Sequence, residues 1–257
     1  LNDVKPKKYL GQHFLQDMHQ AIAIADAIGK SSPTKIAVEI GPGKGVLTKL
    51  LLERGFQVTA VEIDKESIAY LNQNLNHEKL QIIEADVLSK SLLHQLPERF
   101  ILCGNFPYNI SSQIMFQALN WGERVAEVTG MFQKEVAERL VAGPGSKTYG
   151  ILSVLLALHY KGYYLFTVKP GAFFPAPKVN SGVVRFERLP DKISDVNYPL
   201  FKAVVKMAFN QRRKTLRNAL KPYYNKAGDE LPYADKRAEQ LSVDDFTMLV
   251  KGIEKYL

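Results

Sequence analysis

Four short stretches of this chain carry residue types that could do chemistry together. The most specific is Cys103-Gly104-Asn105-Phe106-Pro107-Tyr108-Asn109. The exocyclic amine of an adenine is a poor nucleophile because its lone pair is delocalised into the ring. Acceptors aimed at its N–H groups favour the pyramidal form that can attack. The Asn105 side-chain oxygen and the Phe106 carbonyl are such acceptors. Pro107 stiffens the turn, and Tyr108 offers a face on which an extruded base could stack. The second stretch, Val38-Glu39-Ile40-Gly41-Pro42-Gly43-Lys44-Gly45, is a glycine-rich turn that lets a ligand approach the backbone closely. A dinucleotide fingerprint reads G-x-G-x-x-G, but here the third glycine follows after one residue, which suits a nucleoside held without a pyrophosphate. Glu62 lies about twenty residues past the first glycine, where a carboxylate can accept from both ribose hydroxyls of a nucleoside. Asp86, in Glu84-Ala85-Asp86-Val87, could accept from an adenine amino group. Taken singly, each also fits a tight turn or a helix cap, and Asp64 suits the cap before residue 65 better than Glu62 does.

The elements that must position these residues follow from periodicity. Short apolar runs at 36–40, 57–63, 80–84, 100–104 and 127–133 read as strands, and 46–54 and 65–74 as amphipathic helices between them. A helix at 19–28 precedes this series, and 163–168 and 182–188 read as late strands. The alternation predicts a mostly parallel sheet with helices on both faces, a Rossmann-like α/β fold. Glu62, Asp86 and the Asn105 loop then fall at successive strand ends, on one pocket. The strand pattern stops near Leu189, and Pro190, Asp191 and Ser194-Asp195 suggest a linker. Beyond it, 199–210, 214–220 and 243–256 have helical spacing, with Ser242 a cap and Asp245 three residues on. The expected organisation is therefore an α/β domain over 1–188 and a small all-helical domain over 189–257.

Composition sets the outer limits. The chain has 257 residues, 46% hydrophobic and 23% charged, which is ordinary globular usage. Cys103 is the one cysteine, so disulfides and thiolate zinc sites are excluded and a reducing compartment is expected. No His, Asp and Glu cluster has metal-ligand spacing, no apolar stretch approaches a membrane span, and the N-terminus lacks an apolar signal region, so a cytoplasmic location is expected. The net charge is +8. Eight basic residues lie between Val196 and Gly228 with no acid among them, including Lys206, Arg212, Arg213, Lys214 and Arg217. That run is either a solvated helix face or a surface for a polyanion, and the absence of local acids favours nucleic acid.

These residues together carry a resemblance. The chain resembles the ribosomal RNA adenine N6-dimethyltransferases, and among them the small-subunit, kasugamycin-resistance type. Gly11-Gln12-His13-Phe14-Leu15 is similar to the family's N-terminal cofactor motif, and the Gly41 turn, Glu62, Asp86 and Asn105-Phe106-Pro107-Tyr108 match its cofactor and target loops. Phe173-Phe174-Pro175-Ala176-Pro177-Lys178-Val179-Asn180-Ser181 is similar to its F-x-P-x-P-K-V-x-S segment, and residues 208–218 to the C-terminal signature of the small-subunit type. The resemblance implies a methyltransferase fold binding S-adenosylmethionine. His13, Leu15, Gly41, Gly43, Glu62, Asp86 and Asn105 would line the cofactor pocket, and Tyr108 and Phe173 would sandwich the target adenine. His13 stands where many relatives have Asn, and Phe106 where Leu or Ile is usual. The implied partner is the small ribosomal subunit with its RNA, bound by a monomer with no metal and no membrane. The other readings are a large-subunit methyltransferase of the macrolide-resistance type, a DNA adenine methyltransferase, a non-catalytic assembly factor and an NAD oxidoreductase. The C-terminal signature, the lack of a separate DNA-recognition domain, the intact acidic and Asn positions, and the Asn105 loop speak against them in turn.

Overall fold

The computed structural model describes residues 4–190 and 196–257. From the N-terminus the chain runs β1 (Phe14–Leu15), α1 (Met18–Ala27), β2 (Ile36–Ile40), α2 (Val46–Glu53), β3 (Gln57–Glu62), α3 (Lys65–Asn74), β4 (Leu80–Glu84), β5 (Phe100–Asn105), α4 (Ser111–Asn120) and β6 (Val125–Gln133). It continues through α5 (Lys134–Leu140), α6 (Ile151–His159), β7 (Tyr160–Val168), β8 (Phe173–Phe174) and β9 (Ser181–Arg188). It ends in α7 (Tyr198–Asn210), α8 (Leu216–Ala219), α9 (Lys221–Ala227) and α10 (Val243–Glu254).

One sheet takes the order β4-β3-β2-β5-β6-β9-β7. Its strands from β4 to β6 are parallel, and β9 joins β6 antiparallel. Ala37, Val38, Val58, Ala60, Ile101 and Leu102 are all fully buried. Strands this apolar on both faces need helices on both faces, the arrangement that parallel crossovers supply. The chain lays down β2, β3 and β4 in one direction, then returns to the other side of β2 with β5. The carboxyl ends of β2 and β5 flank that reversal, where open α/β sheets form their ligand crevice. The glycine turn and the Asn105 loop start from those two ends. This is the Rossmann-like fold expected from the sequence. A second, two-stranded ribbon pairs β1 with β8, setting Phe14 opposite Phe174 and Leu15 opposite Phe173.

The described residues form two compact units, one of residues 4–137 with 162–188, the other of 138–161 with 189–190 and 196–257. The sequence placed 138–161 in the first domain; the structure groups it with the C-terminal helices. The reason lies in α6, where Leu152, Val154, Leu155, Leu156 and Leu158 are all buried. A helix this apolar all round needs partners on several sides. Tyr149 adds a hydrogen bond from its hydroxyl to the Leu241 carbonyl at 3.0 Å and an edge-on contact with Phe209. In the same unit Ser242 caps α10, accepting from Asp245 N at 3.1 Å while its own N–H donates to the Asp245 carboxylate at 2.9 Å. Most of the expected linker, residues 191–195, lies outside the described residues. No described helix is long and apolar enough to cross a membrane. Among the described residues no group of three or more His, Cys, Asp and Glu side chains could hold a metal ion.

Candidate active site

A cavity of about 550 Å³ opens at the strand ends of the first unit. His13, Leu15, Gly41, Gly43, Glu62, Asp86 and Asn105 all line it, together with Phe106, Pro107 and Tyr108. The volume falls in the range of small-molecule sites. Gly41, Gly43 and Gly45 all have left-handed φ, at 65°, 55° and 74°, so the turn itself demands glycine.

Glu62 ends β3, is 5% exposed, and is held from three directions. One carboxylate oxygen accepts from Gly43 N at 3.2 Å, the other from Ile63 N at 2.9 Å and Asp64 N at 3.0 Å. Burial raises its pKa, outweighing the three backbone donors that favour the ionised form. Asp64 is the cap of α3, as expected, accepting from Glu66 N at 3.2 Å. Asp86 spends one oxygen, Oδ1, on its own turn, accepting from Leu88 N at 2.8 Å.

Asn105 closes β5, and its amide nitrogen donates to the His13 carbonyl at 2.7 Å. The Phe106 ring is fully buried against Phe132, with centroids 4.9 Å apart, and it fits because residue 130 has no side chain. A Cβ at Gly130 would lie 2.4 Å from that ring. Tyr108 is fixed at both ends. Its hydroxyl bonds Ser181 Oγ at 2.5 Å, and its ring stacks on His13 at 5.4 Å. His13 Nδ1 in turn donates to the Pro175 carbonyl at 2.7 Å.

The expected sandwich of Tyr108 and Phe173 is not brought together. Phe173 is 4% exposed and packs in the core with Leu15, Met131 and Val183. Its neighbour Phe174 is 54% exposed. Adjacent residues of a strand face opposite ways, and the ribbon turns Phe173 inward. Glu39 is a site residue that the sequence reading left without a role. It lines the cavity, is 2% exposed, and accepts from Thr48 Oγ1 at 2.6 Å. A single acid in a short strand otherwise apolar was the available signal.

The second unit carries the basic run. Lys206, Arg212, Arg213, Lys214 and Arg217 are all exposed. Arg212 also braces its own unit, donating to the Lys147 carbonyl at 2.8 Å and lying 3.9 Å from the Glu239 carboxylate. The Arg217 guanidinium lies over the Tyr224 ring at 5.8 Å.

Comparison with known proteins decides what this geometry belongs to. The profile of the ribosomal RNA adenine dimethylases matches residues 4–255. The chain belongs to the ribosomal RNA adenine dimethylase family. It is 52% identical to the ribosomal RNA small subunit methyltransferase A of Parabacteroides distasonis, over 99% of this chain and 96% of that one. It is 49% identical to the protein of the same name from Flavobacterium johnsoniae, over 99% and 98%. A solved dimethyladenosine transferase from Plasmodium falciparum superposes with a TM-score of 0.81 over 95% of this chain and 98% of its own, at 24% identity. The 23S rRNA methyltransferase ErmE superposes at 0.71 over 94% and 99%, at 22% identity. At those identities the two structures bear on the fold alone. As an adenine dimethylase the chain takes its methyl groups from S-adenosylmethionine, and the cavity fits that molecule. It is of nucleoside size, with the buried Glu62 carboxylate on its wall. Among the described residues Lys44 is the one Lys or Arg that lines it.

Proposed function

We propose that the chain dimethylates N6 of adenosines in small-subunit ribosomal RNA, at two adjacent positions in a loop near the 3′ end. It would do so as a monomer, in the cytoplasm, using S-adenosylmethionine. The observation that carries this reading is that Glu62, Asp86 and the Asn105 loop line one cavity at the topological reversal of the sheet. Glu62 would hold the ribose hydroxyls of the cofactor, and the free oxygen of Asp86 its adenine amine. When bound, S-adenosylmethionine supplies an electrophilic methyl group whose departure leaves a neutral thioether. The protein's own work is positioning, since no strong general acid is needed. Asn105 Oδ1 and the Phe106 carbonyl accept the two N–H bonds of the target amine, drawing its lone pair out of conjugation with the ring. Each transfer leaves the product nitrogen with one proton too many, which passes to water; after the first methylation a single N–H remains, so one acceptor suffices for the second round. Tyr108, locked by His13 and Ser181, supplies a face for the base.

A loop adenine suits the site because extruding a base from a duplex costs stacking and pairing energy. Lys206, Arg213, Lys214 and Arg217 would hold phosphates of the surrounding RNA or ribosomal subunit, with Arg212 shared between RNA and the brace to Lys147 and Glu239. The test offers labelled S-adenosylmethionine to under-methylated small subunits and, separately, to large subunits. Label confined to the small-subunit RNA is expected. Label on the large subunit would favour the macrolide-resistance reading. Binding to small subunits without incorporation would favour an assembly factor.

A further inference from the structure

The segment 7–15 is fastened at points that lie on different loops of the site. Lys7 Nζ pairs with the Asp64 carboxylate and with Glu66 Oε1, the latter at 3.1 Å. Its backbone N–H donates to Gln12 Oε1 at 2.8 Å, and Gln12 Nε2 donates to the second Asp64 oxygen at 3.2 Å. Gly11 rests on the Asn105 loop, where a Cβ would meet Asn109 Oδ1 at 2.7 Å. His13 reaches the Pro175 carbonyl, and Phe14 and Leu15 pair with β8. Between these fastenings the His13 carbonyl receives the Asn105 amide nitrogen at 2.7 Å.

A carbonyl oxygen can only accept, so the Asn105 atom facing it must be the nitrogen. Oδ1 is thereby left as the atom that can accept from a target amine. With the carbonyl displaced, the amide is free to turn over and present N–H to N–H, an arrangement that cannot bind the amine. The same segment also walls the cavity, through His13, Leu15 and their neighbours. We infer that the N-terminal segment positions the methyl-acceptor site: the His13 carbonyl sets which way the Asn105 amide faces, and Lys7 and Gln12, through Asp64, hold that carbonyl in place. The inference rests on the reading of Asn105 given above. It makes Lys7 a positioning residue that touches neither cofactor nor RNA. It also means that filling the cofactor cavity favours the seated segment and thereby readies the acceptor.

The test compares wild type with Lys7→Met and Lys7→Arg. Backbone hydrogen exchange over residues 4–16 is measured with and without S-adenosylhomocysteine. The single-turnover methylation rate is measured at saturating cofactor and under-methylated subunits. Lys7→Met is expected to speed exchange in the segment and to slow the saturated rate about tenfold, a cost typical of a displaced reacting group. Lys7→Arg, which keeps the ion pairs, is expected to recover most of both. A Lys7→Met protein whose segment exchanges faster while its saturated rate stays within twofold of wild type would overturn the link to Asn105. Unchanged exchange would overturn the fastening itself. A wild type that binds both partners and transfers no methyl is a separate result, and it would count against the functional reading.

Discussion

Replacing Glu39 by glutamine (Glu39→Gln) should remove a defined part of the pH dependence of stability. Burial pushes the Glu39 carboxyl up to about 7, partly offset by the Thr48 hydroxyl and reinforced by the negative charge of Glu62. The folded protein therefore keeps a proton here over a pH range in which the unfolded chain has released it. The folded state gains from this at low pH and loses the gain as pH rises from the ordinary value of 4.5 through about 7. At about 1.4 kcal/mol per pH unit, the interval amounts to about 3 kcal/mol. That is a large share of a domain stability of roughly 5–15 kcal/mol. Glu39→Gln keeps an acceptor for Thr48 but cannot ionise. Its buried amide N–H carries its own cost of about 1–3 kcal/mol, which is the same at every pH. The informative quantity is therefore the change in the difference between the two proteins from pH 5 to pH 8. Urea unfolding of both, without cofactor, should show the variant gaining about 2–3 kcal/mol on wild type over that range. Parallel pH profiles would refute the reasoning, because Glu39 would then be titrating in its ordinary range.

Other perturbations separate the roles of neighbouring residues. Gly130→Ala drives a methyl group into the Phe106 ring at 2.4 Å and the Gly104 carbonyl at 2.5 Å, so a loss of about 1–3 kcal/mol is expected in thermal unfolding. An unchanged midpoint would contradict that packing. Glu62→Gln should weaken S-adenosylhomocysteine binding about 10- to 100-fold by calorimetry, since a charged hydrogen bond is lost. Wild-type affinity should fall on acidification at a pH above the ordinary glutamate range, because burial raises Glu62, and a pH-independent affinity would count against this. Phe173→Ala should cost about 3–5 kcal/mol of stability and Phe174→Ala less than about 1 kcal/mol, while equal losses would refute the buried and exposed assignments. Arg213→Ala and Lys214→Ala should each reduce the slope of log affinity against log salt for RNA by about 0.7–0.9. Arg212→Ala should also lower the unfolding midpoint, as it braces Lys147 and Glu239. Unchanged slopes would remove the basic run from the RNA interface.

The sheet and most of the pocket were legible in the sequence because both rest on local signals. Runs such as 36–40 and 57–62 are apolar and short, and glycine, Glu62, Asp86 and Asn105 punctuate their ends. What escaped depends on long-range packing. In α6 almost every side chain is buried, so there is no polar face to reveal a helical period, and its membership of the C-terminal unit could not be read. Strands β1 and β8 are two residues each, too short for any alternation, and their register alone decides that Phe173 turns inward and Phe174 outward. The bond from Asn105 to the His13 carbonyl spans 92 positions and uses a backbone atom, which no residue type announces.

The central claim is that the Asn105 loop presents acceptors to an adenine N6 in small-subunit RNA. Its most direct test is nucleoside analysis of that RNA after single-turnover reaction with wild type and with Asn105→Ala at saturating S-adenosylmethionine. The account predicts N6,N6-dimethyladenosine with wild type and a loss of at least about 100-fold in its rate of formation with the variant. A variant that still forms dimethyladenosine at close to the wild-type rate would contradict it.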